Sequence, residues 1–207
     1  MSVVLSEKRG LRAIHPEQWV FSLDRWLRRW HGVYEFTAHR DCIFRVERGL
    51  AEESLLLADG AWVRRGDPVL KVHLWNEHMP AMGQEGPTIA WARRASRALD
   101  TSLRELARHV AQCSDLDAVS AVCADTRLAP AKQNAQVARL MARYGFEGAK
   151  DSRVGRPGPL RRIGENLLMM LLVLATNPTA FRAGVLRRDH SRVIISRAKL
   201  LRLYWSC

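Results

Sequence analysis

The chain has 207 residues, 47% of them hydrophobic, which is enough to bury a sizeable core and too apolar for a disordered protein. Lys and Arg number 33 against 21 Asp and Glu, a net charge of +12, and this favours anionic partners such as nucleic acid, acidic lipid headgroups or phosphorylated ligands. Because only Lys8, Lys71, Lys132, Lys150 and Lys199 are lysines, codon bias in a GC-rich genome explains the Arg excess equally well.

The N-terminal stretch "MSVVLSEKRGLRAIHPEQW" has no apolar run with a small-residue cleavage site, so the reading expects no signal peptide. Cys42, Cys113, Cys123 and Cys207 form no CxxC pair and match no zinc-module spacing, so the expectation is a reduced cytoplasmic protein that takes no metal and no cofactor. Residues 1–15 read as a flexible start to a single domain covering 1–207.

A helix is expected from Pro16 to His31. Trp19, Leu23, Trp26, Leu27 and Trp30 share one face of it, and Gly32 provides the exit. Short extended segments follow at 33–38, 42–48, 54–58 and 69–75, separated by the turn sequences "ADG" and "RRGD". Residues 16–80 thus read as a helix followed by an antiparallel meander. "HRD" at 39–41 lacks every companion of a kinase catalytic loop, and no P-loop or GxSxG elbow occurs anywhere.

From residue 81 the pattern is mainly helical with one strand. A long helix over 88–112 is capped by Thr88 and places Ile89, Ala92, Leu99, Leu103, Leu106 and Val110 on one face. "DAVSAVCADT" (117–126) reads as a buried strand. The next helix, 131–147, turns Val137, Leu140 and Met141 inward and ends at Gly145.

After a basic loop at 148–159 comes "LLMMLLVLA" (167–175), about half of the ~20 residues that a membrane span needs, and it reads as a core helix before an interfacial one. The tail ends in a short apolar segment and a basic amphipathic helix with Ile194, Ile195, Leu200, Leu201 and Leu203 inward. The fold class is α+β: a small, mostly antiparallel sheet with an N-terminal helix, packed by several longer helices.

Chemistry concentrates at "GDPVLKVHLWNEHMP" (66–80). As a strand it turns Leu70, Val72 and Leu74 to the core and Lys71, His73 and Trp75 the other way, with Asn76, Glu77 and His78 at its mouth. His73, Trp75 and Asn76 are candidate ligand contacts, suited to a polyol or a phosphate, with the indole as a platform for a sugar ring. In an enzyme, His73 is the general base and Glu77 orients it or supplies a proton. The plainer alternative is that His73 bonds to a neighbouring helix while Asn76 and Glu77 tie down the turn. In the tail, Arg187 and Arg188 are candidates for holding an anionic group. With Arg182, Arg192, Arg197, Lys199 and Arg202 they could bind a nucleic acid or an anionic membrane, or simply form a solvated face.

The segment "LADGAWVRRGDPVLKVHLWNEHMP" (57–80), with Asp59-Gly60, Gly66-Asp67, His73 and Asn76 in order, resembles the YkoP-like domain, a bacterial family. "WLRRWHGVYEF", "ADTRLAP…RYGFE" and "IISRAKLLRLY" fit the same order, so the resemblance spans about 18–205. Members are also found fused to polysaccharide deacetylases, and the chain has no room for that barrel. The resemblance implies an accessory or ligand-binding role in bacterial cell-envelope glycan or glycolipid metabolism, in the cytoplasm or peripherally at the inner membrane. The alternatives are an enzyme acting on an anionic glycan or lipid precursor, and a nucleic-acid binder using the C-terminal arginines.

Overall fold

The computed structural model describes residues 32–81, 83, 88–126, 134–148 and 191–205. The helix expected over 16–31, the loop at 148–159 apart from Gly148, and the apolar run at 167–175 lie outside them, as do Arg182, Arg187 and Arg188.

Seven strands and three α-helices are described: β1 (Phe44–Leu50), β2 (Leu55–Leu56), β3 (Trp62–Val63), β4 (Pro68–Leu74), α1 (Ile89–Gln112), β5 (Ala121–Thr126), α2 (Asn134–Arg143), β6 (Glu147–Gly148), β7 (Ser191–Ser196) and α3 (Arg197–Tyr204). Five strands form one sheet in the order β1-β4-β5-β7-β6, and β2 and β3 form a separate hairpin. Three of the four pairings in the large sheet are antiparallel, while β4 and β5 run parallel. A parallel neighbour requires a crossover, and α1 lies in it. The α+β class is correct.

The meander is not what forms. β1 pairs directly with β4, and β2–β3 is an excursion between them. The extended segment at 33–38 contributes a single bridge, Tyr34 to Val46, in place of a strand. β3 is an addition to the strands expected from sequence. The described residues after 80 include three strands, β5, β6 and β7, where the sequence suggested one. β6 and β7 come together from distant parts of the chain, and β6 has only two residues, too few to show a period.

Both faces of the central strands are buried. On one face Leu70, Val72, Val122, Val193 and Ile195 pack with Leu103, Leu106 and Val110 of α1 and Leu200 of α3. On the other, Val69, Ala121, Cys123 and Ile194 meet Leu57 and Val63 of the hairpin. The layers are therefore helices, sheet and hairpin. This double burial is why β5 reads as a continuous apolar run.

Thr88 caps α1, its hydroxyl accepting from Trp91 N at 3.1 Å. Trp91 Nε1 donates to Pro80 O at 2.8 Å, fixing the first turn of the helix to the end of the segment after β4. The inward stripe is shorter than expected: Ile89 and Ala92 are exposed, because the helix reaches past the sheet at its N-terminal end. Leu140 and Leu203 are also exposed, against expectation, while Met141 and Leu201 pack on the core. α2 ends at Arg143, with Gly145 at a φ of +85° closing it as expected, and Glu147 joins β6.

Candidate functional site

The β1–β4 register decides which side chains meet. Arg45 stands opposite His73 and Glu47 opposite Lys71, all on the sheet face away from α1. His73 Nε2 lies 3.0 Å from Glu47 Oε2, and Lys71 Nζ lies 3.9 Å from Glu47 Oε1. The run continues through Glu52, 4.0 Å from Lys71 and 3.0 Å from Arg192 of β7. Cations and carboxylates alternate along it, and the His73 side chain remains 43% exposed at its edge.

Beside His73, Arg45 is buried. Its guanidinium lies 3.0 Å from Glu35, 3.7 Å from Glu77 and 4.2 Å from the centre of the Trp75 ring. Arg45 Nε is buried with no hydrogen-bond partner. Trp75 stacks on His78, centroid to centroid 3.6 Å. A guanidinium and an imidazole this close to one indole need opposite faces, since on one face they would overlap. The ring thus offers a ligand its edge, where the sequence suggested an open platform.

Strand β4 is held to its end by Trp75 N donating to Ile43 O at 2.7 Å. It then passes into a 3-10 turn, Asn76–His78, which replaces the frayed mouth expected from sequence. Asn76 opens that turn. His78 Nδ1 sits 2.9 Å from the Cys42 carbonyl, which can only accept, so the proton is on Nδ1. His78 therefore pins the turn to the start of β1.

Of the residues singled out from sequence, His73 lies near the end of β4, Trp75 directly follows it, and Asn76 and Glu77 lie in the 3-10 turn. Their roles are redistributed: the carboxylate that orients His73 is Glu47, and Glu77 faces Arg45. Glu47 and Arg45 were missed. Their alternation in "FRVER" marked an outward face, but their partners depend on register, which sequence did not supply. His73 bonds to a strand neighbour where a helix was expected.

The turn residues of the family pattern have structural work. Gly60 and Gly66 have φ of +83° and +89°, a region a side chain disfavours. Asp67 Oδ2 accepts from Arg64 N at 2.7 Å. Asp59 accepts from Ala61 N at 3.2 Å and from the Ser196 hydroxyl, which in turn caps α3 by accepting from Lys199 N at 3.0 Å. The Ser196 bond holds the Asp59 carboxyl below its ordinary pKa.

Among the described residues, no three His, Cys, Asp or Glu side chains cluster to hold a metal. Nor is any described helix long and apolar enough to cross a membrane.

A mixed sheet buried on both faces, with a polar ladder at the β1–β4 end, defines an α+β domain with one chemically dense edge. Residues 18–204 match the family model of the YkoP domain, and the chain belongs to that family. No curated protein and no solved structure matches the chain.

Proposed function

We propose that this YkoP-domain protein binds a hydroxyl-rich glycan or the sugar headgroup of a glycolipid at the outer β1–β4 edge, as an accessory protein of cell-envelope metabolism. The observation that carries the reading is the exposed His73 held by Glu47 next to a buried arginine. Sugar hydroxyls both donate and accept, and a surface that alternates carboxylate, imidazole and ammonium answers both needs. A bare phosphate fits this edge less well, because Lys71, Arg45 and Arg192 each already face a carboxylate. Trp75 keeps the Arg45 guanidinium in place.

Titration calorimetry against neutral and amino-sugar oligosaccharides tests this. Wild-type protein should give a saturable heat that His73→Ala and Glu47→Gln each reduce at least tenfold in affinity, with unchanged melting. Variants that bind as wild type does would remove the site from consideration.

One observation favours a second, catalytic reading. A carboxylate on Nε2 fixes the tautomer and leaves Nδ1 as the basic nitrogen, an arrangement suited to proton abstraction from a hydroxyl. In that case the base pair is His73 and Glu47, and mass spectrometry should detect turnover of the bound glycan. The nucleic-acid reading has less support. Arg192, Arg197 and Lys199 are engaged by Glu52, Asp117 and Glu147.

A further inference from the structure

The β2–β3 hairpin has two unlike faces. Its inner residues Leu57 and Val63 are buried against Val69, Ala121, Cys123 and Ile194. On its outer face Leu56 and Trp62 are directly opposite each other across the two strands, 64% and 55% exposed. A cross-strand pair of this kind forms one continuous apolar surface. An exposed tryptophan beside an exposed leucine is costly to leave in water, and the pair is held at a fixed place on a rigid hairpin.

Two cations follow this pair in the chain. Arg64 and Arg65 follow Trp62 and Val63 directly, both exposed, and neither guanidinium has an ion-pair partner among the described residues. The one acid between residues 55 and 66, Asp59, is turned to Ser196. The Arg64 and Arg65 amides are taken up by Asp67 and Ser54, at 2.7 and 2.9 Å, so the backbone beneath the two arginines is fixed.

We propose that the β2–β3 hairpin docks the protein on an anionic lipid bilayer, with Trp62 and Leu56 in the headgroup region and Arg64 and Arg65 on acidic headgroups. Tryptophan favours that boundary because its ring is apolar and its N–H polar. A shallow apolar wedge with flanking cations is the chemistry of a peripheral membrane contact. The hairpin lies on the same sheet face as His73, so docking brings the polar edge to the membrane side of the molecule. Each basic residue near such a surface contributes about 1 kcal/mol, roughly fivefold in partitioning.

Co-sedimentation with vesicles of phosphatidylcholine, with and without added phosphatidylglycerol, tests the proposal. Full-length protein should pellet with the anionic vesicles and stay in solution with the neutral ones. Arg64→Glu/Arg65→Glu should lower partitioning at least about 25-fold. Leu56→Ser/Trp62→Ala should lower it about tenfold or more. All four positions are exposed, and circular dichroism checks that both variants fold. His73→Ala should partition as wild type does, which separates this proposal from the glycan reading. The proposal is overturned if wild type ignores anionic vesicles, if binding survives either double substitution, or if the arginine pair instead governs retention on duplex DNA with vesicles left unbound.

Discussion

At the scale of single residues, Ser102 shows how one buried polar group is satisfied. It is fully buried on α1, donates to Ala98 O at 2.6 Å and accepts from Ile43 N at 2.8 Å. That hydroxyl joins the long helix to the residue preceding β1. Ser102→Ala removes the acceptor and leaves a buried amide without a partner, which costs about 1–3 kcal/mol. Urea denaturation should show a lower midpoint with an unchanged slope, and a neutral result would mean that water reaches Ile43 N. No sequence pattern announced this serine, which sits among exposed and half-buried polar neighbours on the helix. His73 was legible as outward-facing, because strand alternation is local. Its partner Glu47 was not, because 26 positions separate them and only register brings them together.

At the scale of elements, Asp59 links the hairpin turn to the N-terminus of α3 through Ser196. Its carboxyl has a depressed pKa in the folded protein, below the ordinary 3.8. The sign follows directly. The stabilisation is complete above the unfolded value, and it is lost as pH falls through the lower folded value. Asp59→Asn should cost about 1 kcal/mol near neutrality, after allowance for partial exposure. The difference in melting temperature from wild type should hold from about pH 5 to 7 and close below about pH 4. A gap that stays constant down to pH 3 would show that the carboxylate charge is immaterial.

The elements themselves were unevenly legible. α1 was found with its cap, since a 24-residue amphipathic period is a strong signal. β3 and β6 have two residues each, shorter than any alternation can reveal, whereas β2 falls within the extended segment expected at 54–58. Leu203 lies on a helix where the period predicts burial, yet it is 49% exposed, because Leu200, Leu201 and Tyr204 take the inward side of α3.

At the scale of the whole molecule, the helical and hairpin layers enclose β4, β5 and β7 from both sides. Opening those strands exposes two apolar clusters together, whereas the hairpin can lift by exposing one. Native-state hydrogen exchange should therefore be slowest at Leu70, Val122 and Ile195 and measurably faster at Leu57 and Val63. Equal protection in both groups would mean that hairpin and sheet open as one unit.

By itself, the sequence determined the α+β class, the position of the main helix and strands, and the outward direction of His73. These depend on local periodicity and on the chemistry of nearby turn residues. Only the tertiary structure decided that β1 pairs with β4, that β5 enters parallel beside β4, and that β6 and β7 close the sheet. It also decided that Glu47 and Arg45 complete the candidate site and that Leu56 and Trp62 face solvent. Those facts rest on register and layer order, set by which apolar faces bury each other across long stretches of chain, and a single sequence does not display such pairings.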